Sequence, residues 1–235
     1  FRDLEKLGYA GDELGKMVLY LAGTSRKLAK PLSVLSVANS SAGKSFAQEV
    51  ISSLIPPDEV FSYTRLSPKS LSHYGRYDLV GKLFVIDEFV GMEDESAFQI
   101  RALLSKGSMV TAYASVDPQT GKVSTLEREV CGPISLFTST THEELIDDET
   151  RTRFLILPVD ESREQTLRVM RSMTARNTER GILGDGERNL IRKKYQVIQK
   201  VLKSLPVAVP EEWVSKIEFN ADKVSNKRKF EGYFS

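Results

Sequence analysis

Ala38-Asn39-Ser40-Ser41-Ala42-Gly43-Lys44-Ser45 follows an apolar, strand-like run, Leu32 to Val37, and leads into a helix-like run, Phe46 to Leu54. The form is A-x-x-x-x-G-K-S, a phosphate-binding loop with Ala where the first Gly usually stands. A tight loop at a helix N-terminus points its backbone N–H groups at an anion, and the helix dipole adds to the attraction. Asn39, Ser40, Ser41, Ala42 and Gly43, with Phe46 behind them, form the expected cradle for a nucleoside triphosphate. In that cradle Lys44 reaches the β- and γ-phosphates and the Ser45 hydroxyl ligates Mg²⁺. A chance Gly-Lys-Ser in a polar turn would not need a strand before it and a helix after it.

Working outward, four further apolar runs read as buried strands: Val60–Tyr63, Leu83–Ile86, Ile134–Thr138 and Phe154–Leu157. Helix-like segments such as Phe46–Leu54 and Ala97–Ser105 separate them. With Leu32–Val37 this predicts an α/β fold, a three-layer sandwich around a five-stranded, mainly parallel sheet. Met109–Val116 and Val123–Val130 break the alternation. They are strand-like, and the turn formers Asp117 to Lys122 between them predict an inserted β-hairpin over 109–130. Before the core, Leu14, Met17, Val18 and Leu21 stand at helical spacing, giving a helical lead-in over 1–30. After a core over 31–160, residues 161–235 shift to charged helices, Arg163–Thr174 and Arg188–Leu205, punctuated by Pro206 and Pro210.

A second nucleotide signature is Lys82-Leu83-Phe84-Val85-Ile86-Asp87-Glu88. An apolar strand ending in two acids presents carboxylates at the sheet edge, where ligand sites of open α/β sheets lie. Asp87 would hold Mg²⁺, and Glu88 would act as base for, or orient, the attacking water. The pair favours hydrolysis over mere binding. Phe137-Thr138-Ser139-Thr140-Thr141 offers a small polar residue at the next strand tip, able to bond the γ-phosphate or the water. Ile146-Asp147-Asp148-Glu149-Thr150-Arg151-Thr152-Arg153-Phe154 places two arginines just ahead of the last strand. A guanidinium delivered from a neighbouring subunit stabilises transition-state charge, and surface pairing with the acids before it is the competing use.

The 235 residues are 40% hydrophobic and 28% charged, with 33 Lys plus Arg against 32 Asp plus Glu. That balance excludes a wholly basic nucleic-acid binder but leaves room for a local basic groove. The single cysteine, Cys131, excludes an internal disulfide framework and points to a reducing, cytoplasmic setting; no run is long enough for a bilayer span and no membrane partner is expected. His73 and His142 have no Cys/His cluster around them. A start at Phe1 without Met and an abrupt end at Ser235 read as a piece of a longer polypeptide.

The order of these motifs resembles an AAA+ ATPase, over roughly residues 10–160. The hairpin ahead of the polar strand tip resembles the pre-sensor hairpin of the clade that holds MCM helicases and superfamily III viral helicases. Thr152-Arg153-Phe154 resembles the Ser-Arg-Phe segment that carries the MCM arginine finger. Gly132-Pro133-Ile134 and Val159-Asp160-Glu161-Ser162 are similar to the ATPase part of phage and integrative-element primase-helicases. The resemblance implies ATP and Mg²⁺ as cofactors, Thr140 as the first sensor and Arg153 as a finger acting on a neighbour, with Arg151 as the fallback. It implies Lys122, at the hairpin tip, as a DNA contact, and a homo-oligomeric ring, the hexamer among its forms, that moves or unwinds DNA. Thr140 departs from the usual Asn, and Arg168 and Arg171 are the candidates for a second sensor. A remodelling or regulatory ATPase whose hairpin engages protein is the alternative.

Overall fold

The computed structural model describes residues 1–39, 43–67, 69–88, 94–116, 119–179, 181, 184–205, 208, 210–214 and 216. In chain order its strands are β1 Val34–Val37, β2 Val60–Tyr63, β3 Lys82–Ile86, β4 Ser108–Val116, β5 Val123–Cys131, β6 Ile134–Thr140 and β7 Leu155–Pro158. The first sheet has the order β2-β3-β6-β1-β7 and every pairing in it is parallel, as expected for the α/β class. All five C-terminal ends therefore open on one edge.

Parallel strands covered on both faces are apolar throughout, and their alternation here separates two cores. Val34, Leu83, Val85, Phe137 and Leu157 point to one, while Leu35, Phe84, Ile86 and Leu136 point to the other. Each large side chain fully buried in this way contributes about 1.5–3 kcal/mol relative to exposure. β2 is the exception to the expected burial. It is one of the two edge strands, and β7, the other, shares this: most residues of both are only partly covered or exposed.

The helices are α1 Arg2–Lys6, α2 Glu13–Thr24, α3 Lys44–Ser52, α4 Asp94–Lys106, α5 Asp148–Arg151, α6 Arg163–Arg176, α7 Asp185–Val201 and α8 Glu211–Val214. α2 and α3 cover the first core and α4 the second. α2 starts where Asp12 accepts from the Gly15 N–H at 3.0 Å, a side-chain N-cap. Its apolar signal residues Leu14, Met17 and Leu21 face outward; Leu19, Ala22 and Gly23 pack inward. The small residues let the helix approach the sheet closely: a Cβ on Gly23 would stand 3.1 Å from Ile55 and 3.2 Å from Phe137.

α7 returns to this side. Its Gln199 accepts from Arg26 Nη1 at 2.6 Å and donates to Thr24 Oγ1 at 2.8 Å. Arg26 is fully buried and also bonds Glu59 and the Gly23 carbonyl. β4 and β5 form their own antiparallel sheet, the expected hairpin, with Val116 opposite Val123 at its far end. Its base is tied to the body: Arg128 donates to Ser72 O at 3.2 Å, and Cys131 N donates to Arg76 O at 2.6 Å. Among the described residues no helix is long and apolar enough to cross a membrane.

Candidate functional site

The phosphate loop leaves the C-terminal end of β1 and enters α3 through Gly43, the residue before the first helical turn. Gly43 has φ +86°, a left-handed conformation that L side chains rarely adopt, and a Cβ there would meet nothing within 4 Å. Conformation, not space, demands glycine at this point. Ser40, Ser41 and Ala42 lie outside the described residues. Lys44, only 8% exposed, donates from Nζ to Ala38 O at 2.6 Å and to Asn39 O at 2.8 Å. Burial pushes its pKa below the usual lysine value, while the charges of Glu161 and Glu88 pull it back up. Ser45 is exposed in the first turn of α3, and Phe46 is half-buried one residue on.

Asp87 and Glu88 sit just past the tip of β3, both exposed. The Asp87 backbone is clamped on two sides: its N–H donates to Tyr63 O at 3.2 Å, and its carbonyl accepts from Ser139 Oγ at 2.6 Å. β6 lies between β1 and β3, and its register sets Thr140 beside Val37, flush with the start of the loop. Ala38 N donates to Thr140 O at 3.4 Å, and the Thr140 hydroxyl accepts from His142 N at 2.9 Å. That hydroxyl retains its own proton to donate. Lys44, Ser45, Asp87, Glu88 and Thr140 thus come from three separate strand tips to one edge.

Two expected residues stand elsewhere. Arg153 donates to Ser105 Oγ and to the carbonyl and carboxylate of Glu149, and its side chain is 8% exposed. Its guanidinium is bound by its own chain. Arg151 is half-buried in α5. Lys122 is exposed in the hairpin turn, in a sheet that does not pair with the main one. Arg168, on α6, is 4.0 Å from Glu164, whereas Arg176 at the end of that helix lies over the Phe46 ring, 5.5 Å from its centroid.

A cavity of about 430 Å³ beside the loop was not legible in the sequence. It is lined by Tyr9, Asn39, Phe46, Glu161, Met170 and Met173, among others, from segments far apart in the chain that Ser172 Oγ, 3.5 Å from Gly8 O, helps to hold together. Phe46, Val169, Met170 and Met173 give it an apolar wall able to take a flat organic ring, and Asp12, Asp160 and Glu161 bring carboxylates to its rim. Asn39, expected in the cradle, gives both its backbone N–H and its side-chain amide to Glu161. Among the described residues no group of three or more His, Cys, Asp or Glu gathers to hold a metal. Ser45 and Asp87 nevertheless fit Mg²⁺: it takes oxygen donors and is commonly held by one or two protein groups with the rest from phosphate and water.

No curated protein matches the chain. A family model, the MTBMA_p00010 P-loop domain, matches residues 3–206, which takes in the sheet, the hairpin and the helices from α2 to α7. With that span, and with its phosphate loop at the edge of a parallel sheet, this chain belongs to the MTBMA_p00010 P-loop domain family.

Proposed function

We propose that this P-loop domain is an ATPase of the AAA+ type, working in a ring of identical subunits to move or unwind DNA. The observation that supports it most is the register of β6, which brings Thr140 level with the phosphate loop while Ser139 holds the Asp87 carbonyl. Hydrolysis needs a polyphosphate grip, an acid to take the water's proton and a polar group to place that water. The backbone from Gly43 to Phe46 and the Lys44 ammonium grip the phosphates. Glu88 accepts the proton, and the Thr140 hydroxyl orients the water. Ser45 and Asp87 would hold Mg²⁺, which when bound neutralises charge on the phosphate oxygens. The cavity over Phe46 takes the base. A reducing, cytoplasmic compartment suits the lone thiol of Cys131.

The DNA part of this reading rests on Lys122 at the hairpin tip. A protein partner is the second reading, favoured by the hairpin's own surface. Residues 108–131 carry a net charge of −1, and Val116, Tyr113, Val123 and Leu126 are exposed. Phosphate backbones select Lys and Arg, whereas apolar tips select protein surfaces. ATP turnover measured with and without single- and double-stranded DNA separates them. Stimulation by DNA that Lys122→Ala abolishes supports the motor. No change in an assembled sample rejects the DNA role.

A further inference from the structure

Glu161 lies 122 residues from Asn39 in the chain and against it in the fold. One carboxylate accepts from the Asn39 backbone N–H and from its side-chain amide, the latter at 2.6 Å. On the carbonyl side of the same residue sits Lys44, 2.8 Å from Asn39 O. The entry to the phosphate loop is therefore held between an anion and a cation of the same chain, and the charge of Glu161 is felt at Lys44.

The backbone that carries Glu161 is tied down on both sides. Val159 N donates to Val37 O at 3.2 Å, and Ser162 N donates to Asp160 Oδ1 at 2.9 Å. Ser162 caps α6 through Gln165 N, and the Gln165 amide donates to Ala10 O at 2.7 Å. A carboxylate fixed in this way cannot be ignored by an anion arriving at Lys44. Repulsion between like charges scales with the ligand's charge and with the inverse of distance, and is weakened by salt.

We propose that Glu161 is a charge-selecting residue of the nucleotide site: it braces Asn39 and sets how the site discriminates among phosphate-chain lengths and between metal-free and Mg²⁺-bound nucleotide. The proposal rests on the nucleotide-binding reading above. Its sign is definite. Glu161 weakens binding most for the ligand of highest negative charge, so metal-free ATP is disfavoured relative to its Mg²⁺ complex and to AMP. Glutamine in its place still accepts the Asn39 backbone N–H through its one oxygen and carries no charge, so it keeps that half of the brace while losing the bond from the Asn39 side chain.

Calorimetric titration of ATP, ADP and AMP, each with Mg²⁺ or with a chelator and at low and high salt, tests this on the wild type, Glu161→Gln, Glu161→Ala and Glu161→Asp. Glu161→Gln should bind metal-free ATP on the order of tenfold more tightly, and Mg²⁺-ATP and AMP, both of lower charge, by less, with the gain shrinking at high salt. Glu161→Ala should show the same ranking over a uniform loss from the missing brace. Glu161→Asp should keep the wild-type ranking. If both neutral variants shift every ligand by one factor, or shift none, Glu161 is only a brace and the proposal falls while nucleotide binding stands. A wild type that binds no nucleotide overturns both.

Discussion

Arg153 is held by Glu149, one helical turn before it, with its Nη2 2.9 Å from the Glu149 carboxylate. A guanidinium that completes a neighbour's site must leave this partner and Ser105 to do so. Arg153→Ala should therefore lose stability, by about 1.5–3 kcal/mol for hydrogen bonds to a charged group, as well as turnover. Mixing Arg153→Ala subunits with Glu88→Gln subunits should restore part of the ATPase rate, because each then supplies what the other lacks. Co-assembly without any recovery would make Arg153 a structural residue alone.

Glu88→Gln should bind nucleotide as the wild type does and turn it over at least about 100-fold more slowly, the low end for loss of a general base. Single-turnover kinetics read this directly. A wild-type rate in that variant would remove Glu88 from the chemistry.

Lys44 should give stability and affinity opposite pH dependences. Its folded pKa is lowered by burial from an ordinary 10.5. Between the two values the unfolded chain holds a proton that the folded chain has lost, so this group makes stability rise with pH there. Nucleotide affinity should fall over the same window, since the neutral amine no longer attracts phosphate. Denaturant melts and nucleotide titrations across that range check both slopes. At neutral pH Lys44→Ala should weaken nucleotide binding by roughly 30- to 100-fold, the worth of a charge-assisted hydrogen bond.

Arg26→Ala should cost about 3 kcal/mol, because it leaves Glu59 and Gln199 without their buried partner. Since Gln199 belongs to α7, hydrogen exchange should show that helix opening first. Uniform loss of protection across the domain would contradict a local role.

Tyr113→Ser combined with Leu126→Ser should leave the melting temperature and basal turnover unchanged, as the two side chains are 46% and 45% exposed. Under the protein-partner reading the same pair should abolish stimulation by the partner while DNA has no effect.

The strands announced themselves because both faces of a parallel sheet are covered, and Leu83 to Ile86 followed by two acids has few other uses. The hairpin was equally plain, from two strand-like runs around turn formers. Long-range polar contacts were not. Glu161 and Asn39 form a pair only because β7 lands beside β1, and Arg26 finds Gln199 across 173 residues. Neither pair leaves a local trace. The helical spacing in α2 was legible but not which face packs: close helix–sheet contact calls for small residues, so Ala22 and Gly23 pack inward while Leu14, Met17 and Leu21 face outward. Arg153 had the right neighbours in sequence for an ion pair at i,i+4, a signal that competes with any reading of it as a free cation.

The β4–β5 ladder pairs nine residues of each strand and is about 27 Å long at about 3.4 Å per residue. Among the described residues it is tied to the body near one end, at Ser72 and Arg76, which stand on either side of Tyr74, whose hydroxyl meets that of Tyr63, the residue bonded to the Asp87 backbone. An arm held in this way has the geometry of a lever with its fulcrum close to the acid strand: a rigid tilt at the base would grow along its length, so the far end would travel further than the residues beside the fulcrum.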